Sequence, residues 1–148
     1  MLTVMEKVAF LHTVDPFHSV PTQSLARVAA IAQEVDYEAR QVLYNDNESA
    51  DSMFVLLEGE VSLLRPGHES GKLGPGQVAG LLAFLAGGTE TESAMATQPV
   101  RALRLDQEDF YDAMAEDFAL SLGILRALVR RAAGTQQPLQ QIAGNNPD

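Results

Sequence analysis

The chain has 148 residues, 46% hydrophobic and 20% charged, which suits one domain with a buried core and is too apolar for a disordered chain. It carries 20 acidic and 10 basic residues, and the net charge of −10 argues against a nucleic-acid surface, which needs clustered Lys and Arg. The absence of cysteine excludes disulfides, thiolate metal sites and a cysteine nucleophile, while Glu6 and Lys7 interrupt any secretory signal and no apolar run approaches the roughly 18 residues of a membrane span. A cytoplasmic location is expected, with no direct membrane insertion.

Val4, Val8 and Leu11 recur at helical spacing before Asp15-Pro16, predicting a helix over residues 3–11. A second helix is expected over 23–33, with Thr22 as its N-cap and Leu25, Val28, Ala29, Ile31 and Ala32 on its buried side. Short strands follow. Val35, Tyr37 and Ala39 alternate, Val42 to Tyr44 form an apolar run, and 45–51 is a polar turn. The stretch 53–64 reads as a hairpin around Glu58-Gly59-Glu60, and Pro66-Gly67 with Gly71 mark the next one. Further strands are expected at 77–78, 92–97 and 100–105.

Asp106 is placed to cap a helix over 107–116, and a final helix over 118–133 should stop at Gly134. Along that helix Phe118, Leu122, Leu125, Val129 and Ala132 alternate at spacings of four and three, a seam of coiled-coil type. The expected architecture is mainly β with flanking helices (α+β): a jelly-roll-like β-roll enclosed by N-terminal helices and two C-terminal helices. The domain spans 1–133, and 134–148 form a flexible polar tail.

Catalytic signals are weak. His12, His18 and His68 are scattered and form no His-x-His pair, so no metal site is expected. No serine sits in a nucleophile elbow, and Gly87-Gly88 lacks the Gly-Lys-Ser/Thr continuation of a phosphate loop. Neither catalytic residues nor a metal cofactor are expected.

Val42-Leu43-Tyr44, the run Val55 to Val61, Leu73-Gly74-Pro75-Gly76, and Leu105-Asp106 with Phe110 together resemble the cyclic-nucleotide-binding domain superfamily over roughly residues 2–133. The segment 74–106 resembles that family's phosphate-capturing stretch. The resemblance implies a Gly-Glu-apolar-Ala start, whose Glu holds the ribose hydroxyl, and a later Arg-Ser/Thr-Ala, whose Arg holds the cyclic phosphate beside backbone N–H groups of a short helix. Here Leu81 follows Gly80, and an ungapped alignment puts Glu90 at the arginine position, or Thr91 after a one-residue shift. The implied pocket consists of Val78, Ala79, Gly80, Leu81, Leu82 and Ala83 with Glu90, Thr91, Glu92, Ser93 and Ala94. Leu81 is expected to point inward as core, and Glu90 and Glu92 to be solvated on an exposed turn.

Loss of the arginine bond costs roughly 1.5 to 3 kcal/mol, and a like charge ~4 Å away adds up to ~4 kcal/mol. Binding of cAMP or cGMP is therefore expected to be weak or absent. Arg40, Asn47 and Ala50 stand where the family usually has glycine; Asn47 can keep left-handed geometry, whereas Arg40 and Ala50 imply altered turns. The opening helix resembles versions of the domain that sit beside helical-repeat or transporter regions, implying neighbouring domains of a longer polypeptide. The family commonly dimerises through the last helix, so the seam there is either a homodimer contact or internal packing. A DNA-binding regulator of catabolite-activator type is disfavoured because the polar tail supplies no helix-turn-helix. The resemblance implies a non-enzymatic regulatory or interaction module; the alternative is a small-molecule or nucleotide sensor using backbone donors of the same pocket.

Overall fold

The computed structural model describes residues 1–135, and the expected flexibility of the tail concerns residues that lie almost wholly outside that range. In chain order the elements are α1 (Val4–Leu11), α2 (Thr22–Ile31), β1 (Gln33–Tyr37), β2 (Val42–Tyr44), β3 (Ser52–Glu58), β4 (Val61–Arg65), β5 (His68–Leu73), β6 (Val78–Ala79), α3 (Leu81–Ala86), β7 (Ser93–Ala96), β8 (Val100–Asp106), α4 (Gln107–Glu116) and α5 (Phe118–Thr135). The strands form two four-stranded antiparallel sheets, ordered β1-β8-β3-β6 and β2-β7-β4-β5. This is the expected β-roll between helices. No helix among the described residues is long and apolar enough to cross a membrane.

Helix α1 begins with a reciprocal cap: the Thr3 hydroxyl accepts the Glu6 N–H at 3.1 Å and the Glu6 carboxylate accepts the Thr3 N–H at 2.9 Å. Thr22, expected to cap α2, instead occupies its first turn behind Pro21, and its hydroxyl meets His12 Nε2 at 3.1 Å. The same helix ends at Ile31, earlier than its apolar pattern suggests. Ala32 is already extended and Gln33 pairs with Arg104, so β8 recruits the segment into the sheet. Asp106 stands at the N-cap position of α4 without capping it. Its carboxylate accepts the Ser52 hydroxyl at 2.9 Å and meets Arg104 Nε at 3.2 Å. At the other end, α5 runs through Gly134 rather than stopping there.

The segment around Gly59 is a corner between sheets, not the turn of a hairpin. Strand β3 has β8 on one side and β6 on the other, so β4 has no edge of β3 to pair with and joins the second sheet. Gly59 makes this corner possible twice over, since its φ is +92° and a Cβ there would lie 2.3 Å from the Pro99 carbonyl oxygen. Of the other turns, Arg40 keeps left-handed geometry (φ 77°) against expectation, and its N–H bonds the Ala96 carbonyl at 2.6 Å; Asn47 keeps it too, at φ 67°. Ala50 does depart from that geometry: it is buried, and its N–H bonds the Gly88 carbonyl at 3.1 Å.

Two apolar clusters result. One fills the roll between the sheets with Tyr44, Phe54, Leu56, Val61, Ala79, Ala94, Ala96, Val100 and Ala102. The other joins the helices to the first sheet through Leu11, Phe17, Leu25, Val55, Leu103, Phe110 and Leu120. Phe84 of α3 belongs to it, with its ring edge-on to Phe110 at 5.6 Å. The short helix is thereby anchored to the helical layer.

Candidate functional site

Gly80 is left-handed (φ 86°) and turns the chain from β6 into α3, which Gly87 (φ 72°) closes after six residues. Leu81, the first helical residue, is buried in the core with Phe84, as expected. The carbonyl of Phe84 accepts the Tyr111 hydroxyl at 2.5 Å and Gln107 Nε2 at 3.1 Å, which fixes α3 on α4.

The turn that follows is laced to the loop after β2. The Glu90 N–H donates to the Glu48 carbonyl and the Asn47 N–H to the Glu90 carbonyl, both at 2.8 Å. Paired on both backbone sides, Glu90 turns its side chain inward and is only 5% exposed, which overturns the expectation of a solvated residue. Its carboxylate lies against the backbone of Gly80, where a Cβ would sit 3.2 Å from Oε2. Burial, then the negative charges of Glu48 and Glu92, push the Glu90 carboxyl up to about 7. Burial, with Glu90 and Glu92, also raises the Tyr44 phenol.

A cavity of about 360 Å³ opens between the start of α3, the second sheet and this turn. Eight of the eleven expected pocket residues line it: Val78, Gly80, Leu81, Leu82, Ala83, Glu90, Thr91 and Glu92. Ala79 and Ala94 are instead packed inside the roll. Ser93 turns away, its hydroxyl accepting the Asp46 N–H at 3.0 Å.

Sequence reasoning missed the cations of this cavity, because it sought an arginine only within the segment. Arg65 at the end of β4 and Arg131 of α5 both line the wall. Arg65 Nε meets Glu92 at 3.2 Å, and Glu92 also accepts the Ser70 hydroxyl. Arg131 approaches Asp15 at 3.9 Å. No local pattern marks either residue; only the closing of the hairpin and the packing of α5 bring them in.

The seam on α5 divides cleanly. The helix packs on its own domain through Leu120, Ile124 and Ala127, whereas Phe118, Leu125 and Val129 are 77%, 56% and 56% exposed. Leu122 and Ala132, also on the predicted seam, are partly buried. The stripe is therefore not the face by which α5 joins its own core. No cluster of three His, Asp or Glu suited to a metal ion occurs among the described residues.

Known proteins share this architecture. The CRP-like cAMP-activated global transcriptional regulator of Mycobacterium tuberculosis is 24% identical over 131 residues, covering 85% of this chain and 58% of that one. The chain thus spans little more than half of that relative. The N-terminal domain of a transcriptional regulator from Streptomyces coelicolor superposes with a TM-score of 0.74 at 25% identity, over 84% of this chain and 94% of that one. The catabolite activator protein of Thermus thermophilus gives 0.70 at 20% identity, over 86% and 62%. The cyclic nucleotide-binding domain profile matches residues 34–117, the whole stretch from β1 to the end of α4, and the chain belongs to that family.

Proposed function

We propose that the chain is a non-catalytic, cytoplasmic regulatory module of this fold that does not hold cAMP or cGMP in the family's usual way, and that it works within a larger signalling or transport protein. The observation that carries the reading is the buried carboxylate of Glu90 in the cavity wall. A cyclic phosphate diester is an anion at any working pH and needs a charge-assisted donor, whereas this wall offers an acidic group that is negatively charged above about pH 7 with little solvent to screen it. Leu81 leaves a ribose hydroxyl without an acceptor, and of the two cations on the wall Arg65 is engaged by Glu92 and Arg131 approaches Asp15. Ser93-Ala94 at the start of β7 also matches the family's Ser/Thr-Ala, which would put Glu92 in the arginine's place. On any of the three alignments that position lacks a cation. The exposed stripe of Phe118, Leu125 and Val129 supports pairing with a second copy through α5, the other half of the proposed role.

Calorimetric titration of the wild-type protein with cAMP and cGMP should give no saturable heat at micromolar concentration. Leu81→Glu combined with Glu90→Arg should recover part of the affinity, most of it from Glu90→Arg, which removes a repulsion and adds an attraction. Micromolar binding by the wild type would sink the proposal.

A further inference from the structure

The turn between α3 and β7 is held at both ends and fastened in the middle by one side chain. At its start the Tyr111 hydroxyl and Gln107 Nε2 fix the Phe84 carbonyl of α3 on α4, and at its end Ser93 pairs with Leu64 of β4. Between them, from Ala86 to Thr91, every residue is exposed except Glu90, whose carboxyl packs against Gly80. Gly87 and Gly88 lead into the turn. Gly87 is left-handed, and a Cβ on Gly88 would meet nothing within 4 Å, so the backbone has room to pivot there.

Backbone bonds lace this turn to the loop after β2. Besides the pair that Glu90 makes with Asn47 and Glu48, the Ala50 N–H donates to the Gly88 carbonyl at 3.1 Å, and Ser49 bridges Thr89. Under the lacing, Glu90 and Tyr44 stand on the walls of both the cavity beside α3 and a second chamber of about 240 Å³. The acidic groups facing Glu90 are Glu48 and Asp51 of the loop after β2 and Glu92 of its own turn, with the phenols of Tyr37 and Tyr44. The cations are Arg104 of β8, Arg65 of β4 and Arg131 of α5. Each already meets a carboxylate elsewhere: Arg104 meets Asp106 at 3.2 Å, Arg65 meets Glu92 at 3.2 Å and Arg131 meets Asp15 at 3.9 Å. An ionised Glu90 is therefore repelled by Glu48 and Glu92 in a site with little water, and moving the carboxylate into solvent relieves both costs.

We propose that Glu90 is a pH-operated latch: protonated, it holds the turn closed on the loop after β2, and ionised, it leaves the wall and the turn lifts on its Gly87-Gly88 hinge, joining the two spaces and widening the way into the cavity beside α3. The closed state holds the carboxyl up to about 7 against an ordinary 4.5, so the proton favours closure. Opening becomes easier as pH rises between those values and levels off above about pH 7.

Hydrogen exchange of the 148-residue chain, read by NMR at the amides of Asn47, Ala50 and Glu90 between about pH 5 and about pH 8, tests the latch. After correction for the intrinsic rate, protection at these amides should fall about tenfold or more over that range, while Val55 and Leu103, paired in the first sheet, change far less. Glu90→Gln should abolish the fall. If that variant does not fold, Glu48→Gln decides, since it removes a like charge while leaving Glu90 in place and should make the fall smaller. Protection independent of pH, a fall shared equally by Val55 and Leu103, a fall that persists in Glu90→Gln, or one undiminished in Glu48→Gln would overturn the proposal. The latch stands on the packing of Glu90 and not on what the cavity holds: cAMP binding by the wild type refutes the proposed function alone, and pH-independent exchange refutes only the latch.

Discussion

Replacing Glu90 by glutamine should stabilise the protein above neutral pH and change it little in mild acid. The carboxyl is pushed from 4.5 in the unfolded chain to about 7 in the fold, chiefly by burial. Between those values the unfolded chain has released a proton that the native state still holds, so stability falls as pH rises through this window, and the full penalty is present above it. A displacement of that size corresponds to on the order of 3 kcal/mol at about pH 8, and to less than about 1 kcal/mol at about pH 5. Glutamine has nearly the same volume and cannot ionise, so it removes the penalty without opening a cavity. For a chain of this length the gain should appear as a rise in Tm of roughly 5 to 10 °C at alkaline pH. Urea denaturation of both proteins at several pH values between about 5 and 8 isolates the effect, because every other titrating group is common to the two curves. A difference in stability that does not change with pH, or a glutamine variant less stable at about pH 8, would refute the reasoning.

The remaining expectations concern backbone and assembly. Gly59→Ala should destabilise by about 3 kcal/mol or more, since the new Cβ would meet the Pro99 carbonyl oxygen at 2.3 Å and the residue would be held at φ +92°; a loss below about 1 kcal/mol in chemical denaturation would contradict the corner geometry. Arg40→Gly should stabilise by roughly 0.5 to 1 kcal/mol, because it relieves a left-handed conformation (φ 77°) at an exposed site; destabilisation would show that the arginine side chain makes a contact worth more than the strain. Leu125→Asp with Val129→Asp should turn a dimer into a monomer on light scattering while leaving the circular-dichroism spectrum intact, since both side chains are 56% exposed and lie off the face that packs on the domain. A wild-type protein that is monomeric at high concentration would end the proposed pairing.

Much of the fold was legible from neighbouring residues alone. Val4, Val8 and Leu11 at helical spacing announce the first helix, the Pro66-Gly67 turn announces β4 and β5, and the apolar character of Leu81 places it inward. These depend on φ, ψ and side-chain pattern within a few residues, which the chain carries locally. The family resemblance added the place of the pocket, and eight of its eleven expected residues do line one cavity.

What the sequence left open depends on groups far apart along the chain. Asp106 looks like a helix cap in isolation, but Ser52 and Arg104 compete for its carboxylate. The Gly59 turn suggests a hairpin until β6 and β8 have taken both edges of β3. Glu90 reads as a solvated turn residue, because nothing adjacent to it shows that Asn47 and Glu48 will bind its backbone and leave its side chain directed inward. Arg65 and Arg131 enter the cavity from a hairpin and from the last helix, at a distance no local motif encodes. The sequence by itself thus determined where helices, turns and core positions lie, since those follow from short-range sterics and periodicity. The tertiary structure alone decided which charges share a cavity, because burial and electrostatic proximity are properties of the packed arrangement.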